Sequence, residues 1–494
     1  MRPFFTTPLD SLSLLAVVVP LALLASLFGT PTPGQAQGFG VYEQGTCVMS
    51  TGGATVASSC GDGSSIYFNP ANLVGGEGTT VSLGATVIDA GGSFTYDSPV
   101  YPQREVDLEN DPIPAPHLYA AHAVNDRVAV GLGTYAPYGL QTVWPIRLEN
   151  GDFFDGAFEG YNNSVQAIYV QPTAAYQLTD RLAVGGGPIV AISSVELNQV
   201  VDLASVEPDD DALPEGTTLG ELGVPHHTAF ATSTLEGSGA VGYGANLGVS
   251  YQVTNRVRVG LRGTTPITIN YDGEVAFEQV NQEGLQELVF VPPSPLAQDV
   301  DGDGSADPTP AQALVAGEFQ GDGNLVTQDV ETELTFPAQI VTGASIQATD
   351  RLQVLVDYQY TRWSSFEEIP LDFEKDALDR TREENYDDTH ALRIGGAYDV
   401  TDQFTARVGY LHNTPAAPDE VVTPLLPEAA RNQLTVGLGW KPIELLEINA
   451  SYQLLLQNDR RGRVRSGDSL TTDLNNGLYQ FGANLFGTTL TLHL

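Results

Sequence analysis

Ala123-Val124-Asn125-Asp126-Arg127-Val128-Ala129-Val130-Gly131 is one copy of a phrase that this chain repeats. Gln177-Leu178-Thr179-Asp180-Arg181-Leu182-Ala183-Val184-Gly185 is a second, and Gln252-Val253-Thr254-Asn255-Arg256-Val257-Arg258-Val259-Gly260 a third. Gln347-Ala348-Thr349-Asp350-Arg351-Leu352-Gln353-Val354 and Asp399-Val400-Thr401-Asp402-Gln403-Phe404-Thr405-Ala406 follow. Each copy is a short polar turn between two runs that alternate apolar and polar residues, which reads as a β-hairpin. The copies are unevenly spaced, so a fixed-period solenoid is excluded. Similar tight turns separated by long variable segments predict a closed barrel with one short-turn rim and one long-loop rim.

Working outward from these turns, about fourteen strands are expected. They lie near 79–96, 114–124, 127–138, 160–178, 181–200, 228–253, 256–280, 327–348, 351–366, 386–400, 403–413, 430–441, 444–457 and 475–494. Short turns fall at 124–127, 178–181, 253–256, 348–351, 400–403 and 441–444. Long polar connections fall at 97–113, 201–227, 281–326, 367–385, 414–429 and 458–474. Val257, Val259 and Leu261 interleave with Arg258, Gly260 and Arg262, and Leu352, Val354 and Val356 with Gln353, Leu355 and Asp357. Side chains alternate across a strand. One face is therefore apolar enough for lipid and the other suits a wet lumen. A soluble sandwich shows the same alternation, so the asymmetry of the rims favours the barrel.

The start of the chain resembles an export signal. Arg2 precedes an apolar run from Leu12 to Phe28, and Gly34-Gln35-Ala36 offers a cleavage site. An N-terminal anchor is the alternative, but the run is short for a spanning helix. We read 1–36 as signal, 37–78 as a small irregular domain rich in Gly, Ser and Thr, and 79–494 as barrel. The formal charge of −40, with Lys375 and Lys441 the only lysines, excludes nucleic acid as a partner, because its phosphates are repelled. Such a charge suits a saline habitat, where about 1 M salt shortens screening to roughly 3 Å; loops that are simply acidic also account for it. Cys47 and Cys60 are the only cysteines. In an oxidising compartment they form a disulfide, or else two free thiols or a metal pair.

Gly38-Phe39-Gly40 is followed by Asp62-Gly63-Ser64-Ser65-Ile66-Tyr67-Phe68-Asn69-Pro70-Ala71-Asn72-Leu73. With Tyr135-Ala136-Pro137-Tyr138-Gly139-Leu140-Gln141-Thr142-Val143-Trp144 and Val170-Gln171-Pro172-Thr173-Ala174-Ala175-Tyr176, these stretches resemble the FadL-type outer-membrane transporters of long-chain fatty acids and other hydrophobic compounds. The resemblance implies an all-β transmembrane antiparallel barrel of about fourteen strands with an N-terminal hatch carrying Asn69, Pro70 and Ala71. It also implies a passive transporter rather than an enzyme. A hydrophobic fatty acid or hydrocarbon is captured by the outer loops, held in a lumenal pocket, released by hatch movement, and leaves sideways at a kink in the third strand. Expected partners are outer-membrane lipid, the barrel-assembly machinery and the hydrophobic solute, with the chain acting as a monomer and requiring no cofactor. Leu494 departs from the aromatic residue that usually ends such barrels, and the cysteine pair is not general to the family.

Residue by residue, Gly131, Gly133 and Pro137 suit a kink, since Gly weakens a strand interior and Pro cannot donate to the ladder; an ordinary strand with Pro near its loop end is the alternative. Arg258, Arg262, Arg393 and Arg407 either receive a substrate carboxylate bidentately or pair with acids such as Asp357 and Glu447. Asp299, Asp301, Asp303, Ser305 and Asp307, with Gly304 for the turn, form a candidate Ca²⁺ loop in an outer segment. It lacks the twelfth-position Glu, since Pro310 stands there. The alternative is a solvated acidic turn. Gly467-Asp468-Ser469-Leu470 resembles a lipase block but has no Asp-x-x-His partner, and His226-His227 reads as a polar strand entry. A general diffusion porin for small polar solutes is the rival function.

Overall fold

The computed structural model describes residues 39–96, 105–207, 214, 216–299, 302, 304–462 and 477–494. Their strands close into a 14-stranded antiparallel barrel. In order these are β1 (Thr79–Tyr96), β2 (Glu105–Asp107 and Ile113–Asn125), β3 (Val128–Val143), β4 (Asn162–Thr179) and β5 (Leu182–Asp202). Next come β6 (Ala229–Thr254), β7 (Val257–Thr264 and Ile267–Gln279), β8 (Gln328–Phe336 and Gln339–Gln347), β9 (Leu352–Thr361 and Glu368–Phe373) and β10 (Arg380–Glu383 and Thr389–Asp399). The wall ends with β11 (Phe404–Asn413), β12 (Arg431–Ile443), β13 (Leu446–Gln457 and Arg460–Gly462) and β14 (Gly477–His493). β14 pairs with β1 from Thr80↔His493 to Tyr96↔Gly477. Leu494 and Thr79 then exchange backbone bonds of 2.7 and 2.8 Å, so the last residue seals the cylinder although it is not aromatic.

The repeated phrase has a direct physical cause. Its Asn or Thr folds back and accepts hydrogen bonds from the turn's own backbone, as such residues do. Asn125 Oδ1 accepts from the N–H groups of Arg127 and Val128 at 2.9 and 3.0 Å. Thr179 Oγ1 does the same for Arg181 and Leu182, Thr349 for Arg351 and Leu352, and Thr401 for Gln403 and Phe404. The outward face is apolar: Leu83, Leu118, Leu132, Tyr243, Leu247, Leu261 and Leu434 are all exposed. With no continuous sheet edge and a greasy exterior, the wall meets the requirement that every backbone group be satisfied within lipid. Among the described residues no helix is long and apolar enough to cross a membrane.

Two strands expected to be continuous, β7 and β8, are not. β7 breaks at Thr265-Pro266 and β8 at Pro337-Ala338, and these breaks lie side by side, between the pairs Gln339↔Thr264 and Phe336↔Ile267. Proline has no N–H to give to the ladder. β9 and β10 break at the same level, and 367–385, expected as a loop, continues the wall through Val330↔Phe373 and Leu371↔Arg380. Above the breaks the outward face changes from apolar to acidic. Glu236 lies opposite Glu274, which lies opposite Asp329; Asp272 lies opposite Glu331, which lies opposite Asp372. All six are exposed. Carboxylates in directly opposed rows belong in water, so this upper tier stands clear of the hydrocarbon.

Candidate functional site

The N-terminal segment occupies the bore. Residues 42–57 are all buried, and two single-turn helices, Thr46–Met49 and Ser65–Phe68, precede a 3₁₀ turn at Pro70–Leu73. The lumen expected to be wet is largely filled, and its polar side chains serve the backbone of this segment. Asn246 Nδ2 donates to the Tyr67 carbonyl at 2.8 Å and Gln171 Nε2 to that of Ile66 at 2.8 Å. Asp357 Oδ2 accepts from the Thr55 and Val56 N–H groups at 2.7 and 2.8 Å. Asn69 Nδ2 donates to Val56 O at 2.6 Å and Val249 O at 3.1 Å, while its Oδ1 accepts from Ala71 N–H at 3.1 Å. Asn69-Pro70-Ala71 thus docks on β5 and β6. Glycine is needed there: a Cβ on Gly248 would fall on Asn69 Oδ1, and one on Gly185 would meet the Pro70 backbone. Cys47 and Cys60 are joined in a disulfide across a separation of 13 residues. They line a polar cavity of about 160 Å³ at the short-turn rim, together with Arg351 and Arg407.

The arginines are engaged. Arg407 Nη2 lies 3.9 Å from Glu447, whose other oxygen meets Lys441 Nζ at 3.0 Å. Arg393 donates to Gln359 at 2.8 Å and stands 4.3 Å over the Tyr42 ring. Arg262 bonds Asn246 and Gln339 and stands 4.4 Å over the Tyr67 ring. Arg258 bonds Gln252 at 2.9 Å. Among these four, Arg407 forms an ion pair with one of the expected carboxylates, Glu447, whereas Asp357 accepts from the Thr55 and Val56 amides.

β3 changes character halfway along. Its ladder to β2 stops at Leu118↔Thr134, and its register with β4 slips between Tyr135 and Tyr138. The irregularity therefore centres on Ala136-Pro137. Gly131 and Gly133 sit in regular ladder on both sides and face Ile66. From Ala136 to Gly139 the N-terminal segment takes the place of β2. Val41 N–H donates to Pro137 O at 2.8 Å, Gly139 N–H to Phe39 O at 3.1 Å, and Gln44 bonds Ala136 reciprocally at 2.7 and 3.0 Å.

Phe39 also reaches into an aromatic cage. Its ring centroid lies 5.0 Å from Trp363, 5.9 Å from Phe366, 6.1 Å from Phe336 and 6.2 Å from Tyr138. Phe39 and Phe366 border a cavity of about 50 Å³ whose other walls include Leu140, Val195, Leu334, Leu425 and Leu426. That is about a third of the ~150 Å³ cavity that suffices for benzene. The roof is the segment 414–430, whose residues 421–426 are all buried. Surface loops rarely bury backbone; this one is satisfied by anchors. Trp144 Nε1 donates to Pro424 O at 2.9 Å, Glu428 accepts from Ala416 and Ala417 N–H, and Arg382 Nη2 donates to Thr423 at 2.9 Å. Arg382 is itself shared between Glu384 at 2.8 Å and Glu159 at 3.2 Å, and burial pushes the Glu384 carboxyl up to about 7. Trp144 closes the quoted stretch 135–144 and Phe39 belongs to the quoted Gly-Phe-Gly, but no motif announced Trp363, Phe366 or the roof.

The acidic outer turn is tied to itself: Asp299 accepts from Gly302 and Gly304 N–H at 2.7 and 2.8 Å. Asp301 and Asp303 lie outside the described residues, as does Gly467–Leu470. Among the described residues no cluster of three or more His, Cys, Asp or Glu is arranged to hold a metal. His227 meets Asp155 at 3.0 Å rather than a metal partner set.

A search of the curated proteins finds outer membrane protein P1 of Haemophilus influenzae, 24% identical over 388 residues, 76% of this chain and 74% of that protein. Among solved structures, a Pseudomonas aeruginosa FadL homologue superposes with TM-score 0.71 at 18% identity, covering 92% of this chain and 99% of the other. The Pseudomonas putida toluene transporter TodX gives TM-score 0.63 at 16% identity, covering 93% and 99%. Both likenesses concern the fold. The family model for outer membrane protein transport protein (OMPP1/FadL/TodX) matches residues 29–493, and the chain belongs to that family of outer-membrane β-barrel transporters of hydrophobic compounds.

Proposed function

We propose that this barrel conducts a hydrophobic solute passively from the outer loops to the apolar cavity under the roof, and from there sideways through the wall at Ala136–Gly139. The single observation that carries the reading is the double engagement of Phe39–Val41. The same short stretch closes the bare edge of β3 and fills the aromatic cage, so a solute entering the cage competes with Phe39, and withdrawal of Phe39 frees the edge. The N-terminal segment is the hatch, and Asn69, Pro70 and Ala71 are its pivot on β5 and β6. Burial of each CH₂ contributes about 0.8 kcal/mol, so apolar walls supply the driving force without an energy source.

The test uses Gly40→Cys with Tyr138→Cys, residues opposite one another in an isolated bridge. Uptake of an apolar dye into proteoliposomes is measured oxidised and reduced, with the parent protein reduced in parallel. Loss of uptake on oxidation and recovery on reduction is expected. Unchanged uptake in the locked protein overturns lateral exit, and rapid sugar swelling without dye uptake favours the porin.

A further inference from the structure

The two ends of the Cys47–Cys60 bond have different surroundings. Cys47 sits in the turn Thr46–Met49 and is 3% exposed. Cys60 is half-buried on a tip between exposed Ser59 and exposed Gly61, and a Cβ on Gly61 would meet nothing within 4 Å. Both cysteines line the polar cavity of about 160 Å³ at the short-turn rim. Short turns face the periplasm in barrels of this class, so the bond is open to solutes of that compartment from the Cys60 side.

The cavity is also cationic, on a chain of net charge −40. Among the described residues its ionic groups are Arg351, Arg407 and Asp399. Arg351 is exposed on its rim turn, and Arg407 lies 3.9 Å from Glu447. Thiolate is the attacking form in disulfide exchange, and neighbouring arginines favour both the thiolate that arrives and the one that leaves.

We infer that Cys47–Cys60 is a thiol-exchange site, attacked at Cys60 by a thiolate of the periplasm, and that opening it uncouples two limbs of the N-terminal segment. The incoming thiolate bonds to Cys60 Sγ as the S–S bond breaks, and Cys47 leaves as a thiolate. A second thiolate then attacks the incoming sulfur and displaces Cys60. The protein gains two electrons and two protons. A dithiol, or two molecules of a monothiol, loses them and becomes a disulfide.

One limb, 39–49, carries Phe39; the other, 60–73, carries Asn69, Pro70 and Ala71. The peptide between them is pinned to the wall. Gly52 N–H donates to Thr435 Oγ1 at 3.1 Å, and the Thr55 and Val56 N–H groups donate to Asp357 at 2.7 and 2.8 Å. The disulfide is a covalent tie that bypasses these pins. The consequence, unlike the exchange itself, rests on the transport reading above. With the bond closed, withdrawal of Phe39 pulls on the pivot limb as well; with it open, the plug limb moves alone.

The folded full chain in detergent is treated with glutathione, quenched with N-ethylmaleimide and digested. Mass spectrometry should find glutathione on Cys60 and maleimide on Cys47. Glutathione on Cys47, or reaction only after unfolding in urea, overturns the site. A dithiol protein with a Cys-x-x-Cys centre forms the second arm. Faster reaction with it than with dithiothreitol at equal thiol assigns a protein donor, slower reaction a small thiol, and each upholds the site. Single variants that keep heat-modifiable migration check access independently: the thiol left by Cys47→Ser should react with maleimide faster than that left by Cys60→Ser, and equal or reversed rates overturn attack at Cys60.

Arg351→Gln should slow exchange with glutathione by about fivefold, the scale of one unit charge at about 4 Å in water. Arg351→Lys should restore the rate, and salt should erase the difference. An unchanged rate overturns the cationic assistance. Apolar-dye uptake by the reduced protein, and by the Cys47→Ser, Cys60→Ser double variant, should exceed that of the oxidised protein. Equal uptake with exchange intact overturns the coupling and leaves the exchange site and lateral exit standing. Loss of uptake in every state is instead the failure of the transport reading.

Discussion

The phenyl ring of Phe39 stands edge-on to the indole of Trp363, centroids 5.0 Å apart at an interplanar angle of 70°. Phe39→Ala should enlarge the cavity and weaken the hold on the β3 edge by about 3 kcal/mol, the usual scale for a buried Phe→Ala change. Trp363 emission should shift red and apolar uptake should accelerate, with the barrel itself unaltered in heat-modifiable migration. Unchanged emission and unchanged rate would dissociate the cage from the gate.

Gly133 faces the N-terminal segment at close range. A Cβ there would stand 2.9 Å from Ile66 Cγ2 and 3.0 Å from the Tyr119 ring, and one at Gly131 would stand 2.7 Å from Ile66 Cδ1. Gly133→Val should lower stability by about 1–3 kcal/mol through overpacking and slow uptake, while Pro70→Ala slows uptake with a smaller loss. Thermal denaturation alongside the uptake assay separates the two. Wild-type transport in both variants would detach the segment from the route.

Reducing the Cys47–Cys60 bond removes a short covalent loop of 13 residues in sequence separation. Chain-entropy reasoning puts the loss near 3 kcal/mol for a loop of about this size. The expected result is faster proteolysis within residues 39–73 at constant barrel content, measured by mass spectrometry of the fragments. Protection equal to that of the oxidised protein would show that the hydrogen bonds to Asp357, Gln171 and Asn246 suffice.

Glu384 gives a pH dependence of defined sign. Burial raises its folded pKa from 4.5 to about 7, so the folded state favours the proton. That contribution is complete below the unfolded value and is lost as pH rises through the folded one. Wild type should lose more stability than Glu384→Gln between about pH 4.5 and pH 8, by on the order of 2 kcal/mol. Thermal midpoints of the two proteins, compared across that window, report the difference; parallel curves would remove Glu384 as the source.

The carboxylate rows make salt a stabiliser. Opposed like charges each cost about 0.2–1 kcal/mol, and raising salt from about 0.1 M to about 1 M contracts screening from roughly 10 to roughly 3 Å. The melting temperature should rise with NaCl, and Glu274→Gln with Glu331→Gln, the central members of their rows, should flatten that rise. A slope unchanged by the double substitution would assign the effect elsewhere.

Much of the wall was legible because its signals are local. A Thr or Asn capping its own turn and a period of two are read over a few residues, and they placed both rims and the strand count. The breaks at Pro266 and Pro337 carry a local signal too, but alternation resumes across each proline and hides them. The roof was not legible: 414–429 was expected as a polar connection, and the apolar run Val421-Val422-Thr423-Pro424-Leu425-Leu426 within it gains meaning only when Trp144, some 280 residues away, shows where it docks. The acidic tier shows the same limit from the other side: Glu274, Asp329 and Glu236 become a row only through register between three strands. Phe39 was visible as a motif residue, but its cage comes from β3, β8 and the break in β9, which no sequence window contains.

The aligned interruptions in β7 to β10 have a mechanical consequence. Each half-strand below them is anchored by its own ladder, such as Ile340↔Tyr360 and Val341↔Arg262, and does not depend on the half above for its register. The upper portion is thus a replaceable module on a separately registered base. Drift, insertion or recombination there leaves the pairing of that base undisturbed.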